Sequence, residues 1–475
     1  MKLAGLSSGI IADDLTGAND CILQFFLAGA GCRVLLGKED DLAQEDIEQT
    51  QVWAINTDSR HLDPHDAVSK VRQAVSRLQT QYGVEHFYKK IDSTLRGHVA
   101  QECLAVLDEL GWPCAVVVPA FPQQNRQTVG GYQLVQGIPV EQTEVARDPL
   151  FPLSQSHIPR MLADASSSDI VGHIELDTVL RGAGPILQAL NQEIENGKKL
   201  VVVDACSNVD LDQIALVIEK IRKNVDVLPC GSAGLARALS RQWPSAKTDT
   251  AETDEKLEKP SLPGSPILVV SGSASVTTRQ QLIQLMDNYS YYGKSSALEV
   301  SEISSECLLG FSPIEEEVQR LVTLLKDPEN TTKHLYPTVV ITSALKEDSL
   351  GRTLALADEH GIDPARVPTL VSETLTRITL AILKQVSVKL VIAGGETSAH
   401  ICNAMELSAL KIIDQVDPAI PLVYGTQKLT ESDEDSDSLP SDIWMVTKSG
   451  NFGAPLALAN IVKYLKQHEA TPVPS

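Results

Sequence analysis

Residues 8–20 constrain the fold of this chain more than any other stretch. A short apolar run, Ile10 and Ile11, stops at two adjacent carboxylates, Asp13 and Asp14, and a helical period begins at once. Leu15, Ala18, Ile22 and Phe25 recur at spacings of three and four, as on one buried helix face. Thr16 is the expected N-cap, and Gly17 lets backbone approach backbone at the helix mouth. A buried strand that delivers paired acids to a helix start places them at the carboxyl edge of a sheet. In open α/β sheets that edge is where ligands bind. A solvated turn with a capping aspartate would look the same locally, so the rest of the chain has to decide.

Two further runs end in the same way. The run 51–56 leads into Asn56-Thr57-Asp58-Ser59-Arg60, so Arg60 lies just past a strand end. There a guanidinium can take a carboxylate by two parallel hydrogen bonds. The run 86–91 leads into Asp92-Ser93-Thr94-Leu95-Arg96-Gly97, and strand alternation sets Lys90 and Asp92 on one face with Lys89 on the other. A lysine, a carboxylate and hydroxyls at one strand end suit a polyhydroxylated anion. After the run 114–119 comes a loop rich in Gln, Asn and Gly, with Arg126, Thr128, Gly130 and Gly131, of the kind that closes over a site. Runs at 33–36, 200–205 and 225–229, with helical periods such as 64–82 and 100–110, complete the alternation of a mainly parallel sheet.

The character changes at 246–266, a charged, proline-rich stretch without apolar period that reads as a linker. The α/β pattern then restarts, with strand candidates at 267–270, 339–342, 390–393, 412–416, 422–424 and 443–447. Three of these enter small-residue loops: Ser271-Gly272-Ser273, Gly394-Gly395-Glu396-Thr397, and Thr447-Lys448-Ser449-Gly450-Asn451-Phe452-Gly453. A helical period follows each, the last expected over 455–465. Backbone N–H groups at such helix mouths cradle phosphate, so this half is expected to bind a nucleotide, with Lys448 the one cation in the three loops. The segment 430–442 is acidic, of low complexity, and reads as a surface insert. The expected architecture is therefore α/β with two domains, each a mainly parallel sheet flanked by helices: 1–245 for the small anion and 267–475 for the nucleotide.

Composition sets outer limits. No window approaches the eighteen apolar residues of a membrane span, and the opening residues run into a core strand without a signal-peptide stretch, so a cytoplasmic chain is expected. A net charge of −22 argues against nucleic acid. It also requires any anionic ligand to be held by a few well-placed cations or backbone donors. The 8 cysteines are scattered without C-x-x-C and the 10 histidines form no metal motif, so neither a disulfide framework nor a zinc site is expected.

No Walker A loop is present: Gly293-Lys294-Ser295 has the tail of one, but Asn288 stands five positions before Gly293 and no strand leads in. A dehydrogenase is disfavoured because no strand is followed by G-x-G-x-x-G, and Ser343-Ala344-Leu345-Lys346 lacks the companions of a serine acyl-enzyme. Instead I-A-D-D-L-T-G-A-N-D (11–20), K-K-I-D-S-T-L-R-G (89–97), P-A-F-P (119–122), G-S-A-G-L (231–235), V-S-G-S (270–273), G-G-E-T (394–397) and T-K-S-G-N-F-G (447–453) occur in order. With these motifs the chain resembles the four-carbon acid sugar kinase family over nearly its whole length.

The resemblance implies phosphorylation of threonate, erythronate or 3-oxo-tetronate by ATP in carbohydrate catabolism, with the acid sugar on the N-terminal domain and the nucleotide on the C-terminal one. Carried over by motif, it implies Asp13, Arg60, Lys90, Ile91, Asp92 and Ser93 as substrate residues. Around ATP it implies Ser271, Gly272, Ser273, Gly394, Gly395, Glu396, Thr397, Lys448, Gly450 and Gly453, with Mg2+ bridging the phosphates. Asp13 or Asp14 would orient and deprotonate the attacking hydroxyl, with Asp92 the next choice of base. The departures are Asn451, where a glycine is expected, and Ala454-Pro455 in place of an acidic run. The expected partners are a small sugar acid and ATP, with neither nucleic acid nor membrane, and a homodimer is an admissible assembly. The rival from another class is a non-catalytic two-domain sensor of sugar acid or nucleotide. Which acid and which stereoisomer bind is not written in the motifs, because such differences carry little binding energy.

Overall fold

Five consecutive buried residues, Ser8–Ala12 (β1), belong in the middle of a sheet covered on both faces. The computed structural model describes residues 7–36, 42–147, 151–243, 260–289, 298–326, 336–427 and 439–469. They form two compact units, Met1–Leu35 with Leu42–Ala251, and Leu36–Asp41 with Glu252–Ser475. Each is an α/β unit with a mainly parallel sheet flanked by helices. Most of the expected linker and of the acidic insert, and the stretch Gly293-Lys294-Ser295, lie outside the described residues.

In the first unit β1 is followed by Cys32–Leu35 (β2), Val52–Asn56 (β3), His86–Lys90 (β4) and Cys114–Val118 (β5). A small antiparallel ribbon comes next: Arg126–Val129 (β6), Tyr132–Val135 (β7) and Ile138–Pro139 (β8). Val171–Ile174 (β9), Leu200–Val203 (β10) and Val227–Gly231 (β11) complete the set. The large sheet runs β2-β3-β1-β4-β11-β5-β10-β9, every pair parallel. Helix Leu15–Phe26 carries the chain from β1 to β2, and helix Pro64–Tyr82 carries it from β3 back past β1 to β4. The strand order therefore reverses at β1, which leaves a crevice at its carboxyl end.

Asp14, not Thr16, caps the first helix. Its backbone is extended, as a cap requires, whereas Thr16 already lies inside the first turn. The Asp14 carboxylate accepts from the Gly17 N–H at 3.2 Å and from the Thr16 hydroxyl at 2.6 Å. A carboxylate at this position also meets the positive end of the helix dipole.

The second unit contains Ile267–Ser271 (β12), Leu298–Glu302 (β13), Thr338–Thr342 (β14), Lys389–Ala393 (β15), Leu407–Asp417 (β16), Ile420–Gln427 (β17) and Asp442–Lys448 (β18). Its order is β13-β14-β12-β15-β18-β17-β16. The first five strands are parallel, and β17 is antiparallel to both its neighbours. One core packs Val269, Val391 and Val446 against Leu285 of helix Val276–Tyr289 and Ile461 of helix Ala457–Gln467. Strands β9 and β13 and the ribbon are not expected from the sequence. Among the described residues, no helix is long and apolar enough to cross a membrane.

A buried ion pair ties the first sheet to its covering helix. Lys89 Nζ lies 2.7 Å from Glu102 Oε2, and both side chains are almost fully buried. Ser59 donates to the other Glu102 oxygen at 2.6 Å, and the Thr57 hydroxyl lies 2.8 Å from Ser59 Oγ. Replacing Glu102 with Ala would leave an ammonium buried without its counter-charge, so Glu102→Ala is expected to cost about 3–5 kcal/mol. Urea unfolding followed by circular dichroism measures it, and an unmoved midpoint would show the pair to be inert.

Candidate functional site

In the crevice beside β1, Arg60 donates from Nε to Asp13 Oδ2 at 2.7 Å and from Nη2 to Asp14 Oδ1 at 2.6 Å. The backbone holds these groups together. The Ser59 and Arg60 N–H groups donate to the Asp13 carbonyl at 3.1 and 3.3 Å. Gly97, at φ +94°, passes so close that an added Cβ would stand 3.0 Å from Asp13 Oδ2. Burial alone would raise the Asp13 carboxyl, but Arg60, with Lys89 and Lys90 behind it, holds it below the usual carboxylate range.

Lys90 Nζ donates to the Ile91 carbonyl at 2.9 Å. A Cβ on Gly17 would lie 2.9 Å from the same ammonium, which places it beside the first turn of helix Leu15–Phe26. Ile91 is buried, and its N–H donates to Gly231 O at 2.9 Å. Asp92 accepts from Arg96 Nε at 2.6 Å and from the Thr94 hydroxyl. Burial would raise Asp92 as well, yet Arg96 and Arg60 keep it far below the usual range. The structure thus gathers Asp13, Asp14, Arg60, Lys90 and Asp92 at neighbouring strand ends.

The ribbon reaches the same loop. Gly130 and Gly131 have φ +60° and +75°, as the two central residues of a type I′ hairpin require. Asp204, fully buried, pins that turn by accepting from both N–H groups, at 2.6 and 3.0 Å. It also accepts from Leu176 N–H at 3.1 Å and lies 2.9 Å from His173 Nε2. Gln133 donates to the Ser93 carbonyl at 2.6 Å, fixing the ribbon to the loop after β4.

Two residues outside the motif-derived set belong to this crevice. Arg126, at the head of the ribbon, donates from Nη1 to the Gln124 carbonyl, while among the described residues its buried Nε has no partner. Asp20 likewise has a buried Oδ1 without a partner among them. Burial pushes the Asp20 carboxyl up to about 7; Lys90 and Arg126 pull against that, and Asp14 reinforces it. Sequence signals for both were present: Asp20 closes the motif 11–20 and falls three residues after Gly17 on one helix face, and Arg126 lies in the Gly-rich loop after the run 114–119.

In the second unit the three small-residue loops leave β12, β15 and β18 side by side. Ser271 pairs with Ala393 and Ala393 with Lys448, so the strand ends are level. Glycine lets the loops touch. A Cβ on Gly272 would stand 2.0 Å from Thr397 Oγ1, and one on Gly450 would stand 2.0 Å from Ser273 Oγ. The Gly450 carbonyl accepts the Ser275 hydroxyl at 2.8 Å and the Thr278 hydroxyl as well. Gly394 N–H donates to Lys448 O at 2.9 Å, and helix Gly395–Ala404 opens directly behind, with Glu396 accepting from the Thr369 hydroxyl at 3.0 Å.

Gly453 packs on Ala457 and Gln281 instead of on the other loops. The last helix begins at Ala457, later than the expected 455, because residues 449–456 form turns first. Lys448 is 2% exposed, and its Nζ donates to the Ser449 carbonyl at 2.9 Å. Among the described residues no carboxylate pairs with it, and burial pulls its ammonium down to about 7. The Ser271 hydroxyl, in the same row, is buried without a partner among the described residues. The Asp63, His65 and Asp66 cluster has metal-ligand spacing but is exposed, and Asp63 already caps helix Pro64–Tyr82.

Asp204→Asn cannot keep four donors satisfied, so it is expected to release the ribbon turn and with it Arg126. Hydrogen exchange should quicken at Gly130 and Gly131 while the β5 and β10 amides stay protected. Unchanged exchange at the turn would show that Asp204 does not hold it.

Two family models match the chain: "Sugar-binding N-terminal domain" over residues 8–239 and "Nucleotide-binding C-terminal domain" over residues 268–458. A D-erythronate kinase of Heliobacterium modesticaldum is 33% identical over 419 residues, covering 86% of this chain and 88% of the relative. A D-threonate kinase of Bordetella bronchiseptica is 29% identical over 473 residues, covering 99% and 100%. A 3-oxo-tetronate kinase of Pectobacterium atrosepticum is 26% identical over 454 residues, covering 94% and 96%. Among solved structures, a Salmonella typhimurium protein superposes with a TM-score of 0.71 at 21% identity, covering 96% of this chain and 98% of its own. A Haemophilus influenzae protein does so with a TM-score of 0.64 at 22% identity, covering 96% and 99%. Both structural likenesses speak for the fold alone.

Proposed function

Because this chain belongs to the four-carbon acid sugar kinase family, we propose that it transfers the γ-phosphoryl group of ATP to a hydroxyl of threonate, erythronate or 3-oxo-tetronate. It would do so as a cytoplasmic enzyme of carbohydrate breakdown. The observation that carries this reading is Lys448. An ammonium buried without a carboxylate among the described residues, where three glycine loops meet, suits an anion that comes from outside the fold.

Residues 267–475 would take the nucleotide. Its phosphates would lie along Ser271, Gly272 and Ser273, along Gly394, Gly395, Glu396 and Thr397, and by Gly450, with Gly453 supporting the last loop from its helix side. Backbone donors suit a chain of net charge −22, since they hold phosphate with little basic charge. Glu396, partly exposed at the loop mouth, is the carboxylate that would hold Mg2+, which would supply charge neutralisation for the phosphates when bound.

Residues 1–245 would take the sugar acid, with 246–266 joining the halves. Lys90 and Arg60 would be the cations for its carboxylate, and Asp92 and Ser93 would face its hydroxyls, with the buried Ile91 holding Lys90 in place through its carbonyl. Asp13, Asp14 and Asp92 would orient the substrate and the cations around it. Phosphoryl transfer depends mostly on such positioning and on charge stabilisation.

Three measurements test this reading. A coupled ADP-release screen over tetronic acids and their keto forms should show steady turnover with at least one, and a blank screen would remove the kinase. Lys90→Met loses a charge-assisted hydrogen bond worth roughly 1.5–3 kcal/mol, so the KM for the acid should rise about ten- to a hundredfold. An unchanged KM would take Lys90 out of the site.

Nucleotide binding should also carry a proton signature. With its ammonium near 7, Lys448 is mostly neutral at pH 8 and regains a proton when phosphate arrives. Calorimetry in buffers of different ionisation enthalpy should therefore show proton uptake on ATP binding, absent in Lys448→Met. Equal uptake in both proteins would move the phosphates elsewhere.

A further inference from the structure

The carboxylates that the motifs bring to the first crevice are already committed. Asp13 holds Arg60, Asp14 caps a helix and holds Arg60, and Asp92 is tied to Arg96 and Thr94. Asp13 and Asp20 each keep a buried Oδ1 without a hydrogen bond among the described residues, but Asp13 is held to Arg60 through its other oxygen, whereas Asp20 is tied to no cation there. It lies one helical turn beyond Gly17, the residue against which the Lys90 ammonium rests. The charged and titratable groups around it are Lys90 and Tyr88 from β4, Arg126 from the ribbon, and Asp14 and Cys21 of its own segment. Arg126 also presents a buried nitrogen, Nε, without a partner among the described residues. A carboxylate tied to no cation there and a guanidinium with an unused donor thus belong to the crevice proposed for the sugar acid.

We propose that Asp20 is the general base of the transfer, its partly exposed carboxylate taking the proton of the reacting hydroxyl, and that Arg126 holds the substrate against it. This rests on the kinase reading above. The hydroxyl oxygen forms its bond to the γ-phosphorus. The bond from that phosphorus to the bridging oxygen breaks, its electron pair leaving on ADP. The hydroxyl proton ends on Asp20, which returns it to water. A base serves best when its own affinity for the proton matches the working pH. Burial sets Asp20 near 7, whereas guanidinium groups hold Asp13 and Asp92 too low to accept a proton readily.

The test compares Asp20→Asn and Asp20→Glu with the full wild-type chain, using ATP and a tetronate that the wild type phosphorylates, from pH 5 to 9. Asp20→Asn should lower kcat by about a hundredfold or more, leave the KM for ATP unchanged, and abolish the rise of kcat with pH centred near 7. Asp20→Glu should keep part of the rate with the rise displaced.

A second readout follows from linkage. A partly buried carboxyl raised to about 7 contributes stability below its unfolded value near 3.8 and loses it as pH rises through 7. Asp20→Asn should therefore melt higher than wild type at pH 8, with the advantage shrinking at pH 5. A kcat for Asp20→Asn within threefold of wild type, or an Asp20→Glu profile identical to wild type, would overturn the proposal. Failure of the wild type itself to release ADP with any tetronate would instead overturn the kinase reading.

Discussion

A guanidinium buried between two carboxylates sets the terms for the first unit. Removing three charges from water is unfavourable unless their geometry is tight and their remaining hydrogen bonds are met. Arg60 follows β3, and Asp13 and Asp14 follow β1, so the two strands must be neighbours that end level. The register pairing Ala12 with Asn56 does this, and the Ser59 and Arg60 amides lock the two loops through one carbonyl. The Lys89 and Glu102 pair, joined through Ser59, stiffens the same junction from below the crevice. Lys90, Asp92 and Asp20 inherit their positions from that arrangement.

The strand ends were legible because three apolar runs stop abruptly at polar clusters. What escaped had a physical reason in each case. Val171–Ile174 includes a glycine and a histidine, Leu298–Glu302 two glutamates and a serine, and among the described residues each strand has a neighbour on one side only. Such strands do not need an apolar run. In the ribbon, glycines and polar residues speak for turns, and the pairing becomes visible only once Asp204 gathers the hairpin amides. Thr16 and Asp14 are both good caps by residue type, and backbone conformation chose between them. The candidate residues were legible by motif, whereas the character of Asp20 and Lys448 comes from burial, which arises only when distant elements pack.

The second unit repeats the topological device of the first without any visible sequence repeat. Its opening strand, β12, is flanked by β14 and β15 just as β1 is flanked by β3 and β4, so both units reverse their strand order at the first strand. Crevices at the carboxyl ends of parallel strands follow from that crossing pattern whatever the side chains are. The side chains then decide what each crevice holds: paired charges in one, close-packed glycine loops in the other.

The connection between β17 and β18 has an electrostatic consequence. The stretch 428–438 carries five of the chain's 62 acidic residues and is attached where β17 ends and β18 begins. The loop with Lys448, Ser449 and Gly450 leaves the other end of β18. Seven strand residues lie between these points, roughly 20 Å at about 3.3 Å each, and the screening length at physiological ionic strength is about 8 Å. The attachment points thus lie more than two screening lengths from the glycine loops. Sequence drift that adds or removes carboxylates at those points can change the net charge of the molecule while leaving the local potential at Lys448 nearly constant.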